Sequence, residues 1–148
     1  MNTQEKIIIY QVFTRLFGNN SLRCKPNGSL EENGCGKMAD FTTKALNEIK
    51  TLVPHIFGIQ VSLNMLPKPI IPAMASNPII PQSVKGKAGS PYAIKDYYDV
   101  DPDLATSIPD RMKEFENLVT RSHKAGLKVI IDFVPNHVAR QYWFRRQA

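Results

Sequence analysis

Residues 126–137 constrain what this chain can fold into more than any other stretch. Five of the six residues from Val129 to Val134 are apolar, the pattern of a strand covered on both faces, as in a parallel sheet. Pro135 has no amide hydrogen to give a ladder, so the strand is expected to stop just before Asn136 and His137. A carboxylate (Asp132), an amide and an imidazole then stand together at a C-terminal strand edge, which is where α/β folds carry their chemistry.

The residues leading into that strand read as its partner helix. Pro109 suits a first helical turn, and Ser107 with Asp110 forms a capping-box-like pair. Met112, Phe115, Leu118, Val119 and Ser122 make the inner face, and Gly126 ends the helix as the residue just past its cap. Helix, tight turn and strand at this spacing form one βα repeat.

The start of the chain has the same order. Residues 6–13 are rich in β-branched and aromatic side chains and read as a buried strand. A polar, turn-rich loop over residues 18–37 follows, long enough to be functional. A helix over 41–52 is expected next, capped by Asp40, with Phe41, Ala45, Ile49 and Leu52 on one face. A second strand is then due. Instead, residues 53–84 hold no acidic side chain, one lysine and six of the eleven prolines. Pro67, Pro69, Pro72, Pro78 and Pro81 forbid a long helix or a central strand there. The expectation for this segment is disorder, although its apolar content is too high for an ordinary surface loop.

A length of 148 residues allows one cored domain. The net charge of +6 comes from basic residues that are spread out, apart from the short tail Arg140, Arg145 and Arg146, with no basic stripe, which speaks against a nucleic-acid partner. Cys24 and Cys35 flank a Gly- and Asn-rich loop; free thiols are expected, with a small disulfide loop as the alternative. The polar residues 1–6 and the short apolar run after them match neither a signal peptide nor a membrane span. As written the chain reads as cytoplasmic with no membrane partner, although a parent enzyme could be exported.

Asp132-Phe133-Val134-Pro135-Asn136-His137 resembles the first conserved region of the α-amylase family, glycoside hydrolase family 13, at the end of the third strand of its barrel. Three further segments agree in order. Residues 8–17 resemble the family's first strand and turn, the 41–52 helix its first barrel helix, and residues 92–102 the Tyr-x-x-x-Asp-Tyr segment before its second helix. The resemblance implies an incomplete TIM (β/α)8 barrel of about three βα units, so that residues 1–148 form part of a catalytic domain. Residues 53–84 and the tail 143–148 stand apart. Read from the third base of each codon, Phe57 onward can encode Trp-Tyr-Thr-Gly-Val-Ile-Glu-His-Ala-Thr-Lys-Thr-Asp-Tyr, which is similar to the family's second strand and loop. A frame slip between about Phe57 and Val84 explains the missing acids and surplus prolines; a divergent insertion is the alternative. Residues 143–147 can likewise be reread as Gly-Ser-Asp-Ala-Lys, a second slip.

The resemblance implies action on α-1,4-glucans through a retaining mechanism. That mechanism needs a nucleophilic carboxylate and an acid–base carboxyl about 5 Å apart, which the family places after its fourth and fifth strands. The sequence holds no Gly-x-Arg-x-Asp segment, so no catalytic residue is assigned. What the resemblance assigns is substrate positioning. His137 would bond sugar hydroxyls and Tyr92 would stack on the ring; on residues alone, His137 reads as a structural strand-end histidine and Tyr92 equally as a core tyrosine. Asn136 offers an oxygen that in many members ligates Ca2+. Asp132 reads as a buried carboxylate that orients its neighbours, while Asp96 and Arg15 fix loops. The expected partner is an α-glucan or maltooligosaccharide. A non-catalytic sugar-binding remnant or interaction module is the alternative.

Overall fold

The structure, a computed structural model, describes residues 7–52, 56–60, 90–139 and 142. Strands β1 (Ile9–Phe13), β2 (Ile56–Gln60) and β3 (Lys128–Ile131) form one three-stranded sheet in the order β1-β2-β3. Both pairings are parallel, with Gln11 opposite Gly58 and Gly58 opposite Ile130. Sequential parallel neighbours need crossovers. The first carries α1 (Leu30–Asn33) and α2 (Thr43–Leu52), and the second carries α3 (Arg111–Lys124). The result is an arc of α/β units, not a closed barrel, and it fits the expected incomplete TIM architecture.

The central strand lies inside the segment read as disordered. That expectation is corrected for residues 56–60, because five of the six prolines of the segment follow the strand and Pro54 precedes it, leaving the strand itself free of proline. Residues 61–84 and 143–148, on which the frame-slip reading otherwise rests, lie outside the described residues. The 18–37 loop is also more ordered than its composition suggests. Ser29 and Glu32 close a capping box around α1, and the Asn33 side chain bonds both backbone groups of Lys25.

Helix α2 starts two residues later than expected. Thr42 caps it, its Oγ1 accepting from the Ala45 amide at 3.2 Å, whereas Asp40 accepts from the Lys37 amide at 2.6 Å. Its buried residues are Leu46 and Ile49, while Leu52 is exposed. Helix α3 begins at Arg111, and Ser107 meets Asp110 side chain to side chain instead of capping the backbone. Its end follows expectation. Gly126 has φ +76°, its amide donates to His123 and that of Leu127 to Ser122, the two bonds of a Schellman motif.

The core lies between the sheet and these helices. Val12, Leu46, Ile49, Leu118 and Leu127 meet there with Met38 and Phe41, and Phe41 stacks on Phe17 at 4.2 Å. Only this face of the sheet is covered by described residues. On the other, Ile9 is 56 % exposed and Ile130 44 %, so the expectation of strands buried on both faces fails for β1 and β3. The physical reason is that both crossover helices lie on one side, as a right-handed parallel unit requires. In a closed barrel the opposite face points inward and is packed by further strands.

Candidate functional site

Because all strands are parallel, the segments after β1 and β3 leave the same edge of the sheet. Thr14 follows β1 and is fully buried; Asp132 follows β3. Above this edge, the 90–104 loop is tied to each neighbouring element by a separate device. Arg15 bonds Asp101 at 3.2 Å and Asp103 at 2.8 Å, joining the loop to β1. Arg111 grips Asp99 with two nitrogens, at 2.7 and 2.6 Å, joining it to α3. The Tyr97 hydroxyl donates to the Val134 carbonyl at 2.5 Å, and the Ala139 amide donates to Ile94 at 2.8 Å, joining it to the segment after β3.

The electrostatics follow this packing. Burial raises the Asp101 carboxyl, with the Asp103 charge adding to it, while Arg15 and the Asp103 amide pull it down. For Arg15 burial opposes the charge, but Asp103 and the neighbouring carboxylates outweigh it and the guanidinium rises. Burial raises the Cys35 thiol and lowers Lys95. Both cysteines are free thiols. Arg15 and Asp96 act as loop-fixing groups, as expected, with Asp96 accepting from the Tyr98 amide at 2.8 Å.

Tyr92 stands on the first turn of the 90–104 loop with its side chain 41 % exposed, so it is no core tyrosine. His137 and Asn136 lie exposed on the segment after β3. His137 Nδ1 is 3.0 Å from Asn136 Oδ1. With that oxygen as acceptor Nδ1 donates, and in the neutral ring Nε2 remains as an acceptor. Asp132 is half-buried rather than buried, and it makes no hydrogen bond among the described residues. It lines a shallow concavity of about 300 Å³ on the exposed sheet face with Ile9, Gln11, Gly58, Ile130 and Phe133. Its expected role in orienting Asn136 and His137 therefore has no bond behind it.

Ca2+ ligation at Asn136 finds little support in the donor set. One amide oxygen, already engaged by His137, falls far short of the six to eight oxygens the ion takes. No group of three His, Cys, Asp or Glu residues arranged for a metal occurs among the described residues. No described helix is long and apolar enough to cross a membrane. Reasoning from sequence missed Asp99, Asp101, Asp103 and Arg111, and placed Tyr97 in the Tyr-x-x-x-Asp-Tyr segment without giving it a role. The one signal for them was the density of acidic and aromatic residues over 96–103, which marked an ordered loop but not its partners.

Comparison with known proteins agrees with this architecture. The profile described as "Alpha amylase, catalytic domain" matches residues 59–148. An alpha-glucosidase of Apis mellifera is 31 % identical over 145 residues, covering 97 % of this chain and 19 % of that protein. The amino acid transporter heavy chain SLC3A1 of Rattus norvegicus is 47 % identical over 55 residues, 36 % of this chain and 7 % of that protein. An alpha-amylase structure from Lactobacillus plantarum superposes with a TM-score of 0.58 at 27 % identity, covering 92 % of this chain and 24 % of that one. The chain thus spans less than a quarter of each of these relatives. With three parallel strands joined by two helical crossovers, a C-terminal edge carrying Asp132, Asn136 and His137, and a profile match over more than half its length, the chain belongs to the alpha-amylase catalytic domain family.

Proposed function

We propose that these residues form the substrate-positioning wall of a glycoside hydrolase that acts on α-glucans, and that they do not carry out hydrolysis by themselves. The observation behind this reading is that two exposed side chains are carried by loops bonded to each other above one sheet edge. Tyr92 and His137 stand on loops bound to each other through Tyr97 and the Ala139 amide. An exposed aromatic face matches the apolar face of a pyranose, and the free Nε2 of His137 accepts from a sugar hydroxyl. Retaining hydrolysis needs a second carboxyl about 5 Å from the first, and no residue of this chain is assigned either role.

Two assays test this reading. Incubation with starch should release no reducing sugar above a protein-free blank, and release by the purified chain overturns the non-catalytic part. Calorimetric titration with maltoheptaose should show heat that Tyr92→Ala and His137→Ala abolish. Absence of heat with the wild-type chain overturns the sugar site. A second reading, a non-catalytic interaction module, is favoured by one observation, the 47 % identity to a protein described as an amino acid transporter heavy chain. Starch-independent, sugar-independent behaviour in both assays is its signature.

A further inference from the structure

The segment that carries Asn136 and His137 has no regular structure, and Phe133, Pro135, Asn136, His137 and Val138 on it are exposed. Something other than a helix or a ladder must therefore give it a single shape. Among the described residues its backbone bonds outward in three ways. The Tyr97 hydroxyl reaches the Val134 carbonyl at 2.5 Å and the His137 carbonyl at 3.4 Å, and the Ala139 amide reaches Ile94 at 2.8 Å. Two of the three come from one side chain. The Tyr97 ring, half-buried, is also flanked by Phe133 at 5.3 Å and Tyr142 at 5.7 Å between centroids, both tilted. The segment thus packs on Tyr97, with two rings tilted against its ring and the hydroxyl within reach of two carbonyls.

The geometry points to Tyr97 as the positioning residue of this site: through its hydroxyl it sets the backbone that presents His137 relative to the loop that carries Tyr92. This rests on the sugar-binding reading of Tyr92 and His137 given above. Tyr97 itself makes no proposed contact with sugar. It acts because a hydroxyl that donates to either of two carbonyls three residues apart selects one curvature of the backbone between them, and His137 lies within that curve. A ring that merely filled space would leave the same carbonyls to solvent without changing the packing.

Tyr97→Phe separates these roles, since it keeps the ring and its aromatic contacts and removes only the hydroxyl. In the full chain, amide hydrogen exchange at Ala139, whose amide is bonded to Ile94, should speed up by about tenfold, the factor that one lost hydrogen bond of ordinary net strength gives. Exchange at Leu118, in the middle of α3, should stay unchanged. Maltoheptaose affinity should fall by a similar factor. Ala139→Pro, which removes the other tie by deleting its donor, leaves no amide to follow at 139 but should lower maltoheptaose affinity by a similar factor, and serves if Tyr97→Phe folds poorly. Unchanged exchange at Ala139 in Tyr97→Phe overturns the positioning role. Faster exchange with unchanged maltoheptaose affinity also overturns it, because the segment's shape then does not matter to the site. A wild-type chain that binds no maltoheptaose instead overturns the sugar site itself, and the role of Tyr97 with it.

Discussion

Gly36 is where the 18–37 loop returns to the end of β1, and the approach leaves no room for a side chain. A Cβ placed there would lie 1.9 Å from the Phe17 carbonyl oxygen and 2.3 Å from that of Thr14. Both are backbone atoms and cannot rotate aside. To reach an ordinary contact of 3.4 Å from 1.9 Å, one strand of chain must retreat by 1.5 Å. That movement breaks the Gly36 amide bond to the Arg15 carbonyl, now 2.8 Å, and drags on Phe17, which stacks on the core residue Phe41. Leaving a buried carbonyl unpaired costs about 1–3 kcal/mol, and the strain of overpacking costs about 1–3 kcal/mol more. Gly36→Ala should therefore lose about 2–6 kcal/mol, a large share of the ~5–15 kcal/mol that holds an ordinary domain. Gly126→Ala provides the internal comparison. Its φ of +76° penalises an L side chain, but the nearest atom to its Cβ is the mobile Lys50 Nζ at 3.6 Å. The loss there should be the backbone penalty alone, about 1–2 kcal/mol. Urea unfolding followed by circular dichroism measures both, and an unfolded Gly36→Ala chain in the absence of urea is within expectation. A Gly36→Ala loss no larger than that of Gly126→Ala would refute the close approach.

Other consequences follow from the same coordinates. Burial holds the Asp101 carboxyl above its ordinary 3.8, so the folded state binds that proton more tightly than the unfolded chain. Its contribution to stability is full below 3.8 and is lost as pH rises through the raised value. The urea stability of the wild type relative to Asp101→Asn should accordingly shrink between about pH 3 and pH 7; a difference that widens refutes the assignment. Added Ca2+ should leave the thermal midpoint unchanged, since Asn136 has no partner ligands among the described residues; a rise that chelator reverses would show that a site exists. Nucleotide sequencing of the locus should reveal a one-base slip near Phe57 and its reversal near Val84. An intact frame shared by related genes would sink that idea.

Where local chemistry decides structure, the sequence was readable. Gly126 ends α3 because a left-handed cap needs glycine, and the following apolar run pairs as β3. Elsewhere two local solutions competed. Both Asp40 and Thr42 are good caps; Asp40 is drawn to the Lys37 amide, Thr42 caps α2, and the buried row becomes Leu46 and Ile49 in place of one ending at Leu52. An apolar run also cannot say which of its faces a neighbour covers, so the exposure of Ile9 and Ile130 was not legible. The ties of the candidate site were least legible of all. Arg15 lies 86 residues from Asp101 and 88 from Asp103, and Tyr97 lies 37 from Val134. No periodicity links positions so far apart. Resemblance to a family supplied the residues assigned to the sugar in the proposed site, and reading the sequence marked Arg15 and Asp96 as loop-fixing, but neither could name their partners.

The way these ties are distributed has a consequence for binding. The 90–104 loop is fixed through Asp99, Asp101 and Asp103 at one end, where guanidinium–carboxylate pairs are partly or wholly buried. Its middle is fixed by Tyr97 and Ile94. Its other end, with Tyr92, has among the described residues only the Ser90 turn: the Tyr92 amide to Ser90 Oγ at 3.3 Å and the Ala93 amide to the Ser90 carbonyl at 3.1 Å. The imidazole of His137 is set by a backbone pinned at Tyr97, whereas the Tyr92 ring sits on a turn that holds itself. Immobilising a side chain at an interface costs about 0.5–1.5 kcal/mol, so on the proposed reading sugar binding is opposed chiefly at Tyr92. Substitutions that stiffen the 90–93 turn should therefore improve affinity more than substitutions around His137, where the shape is already set.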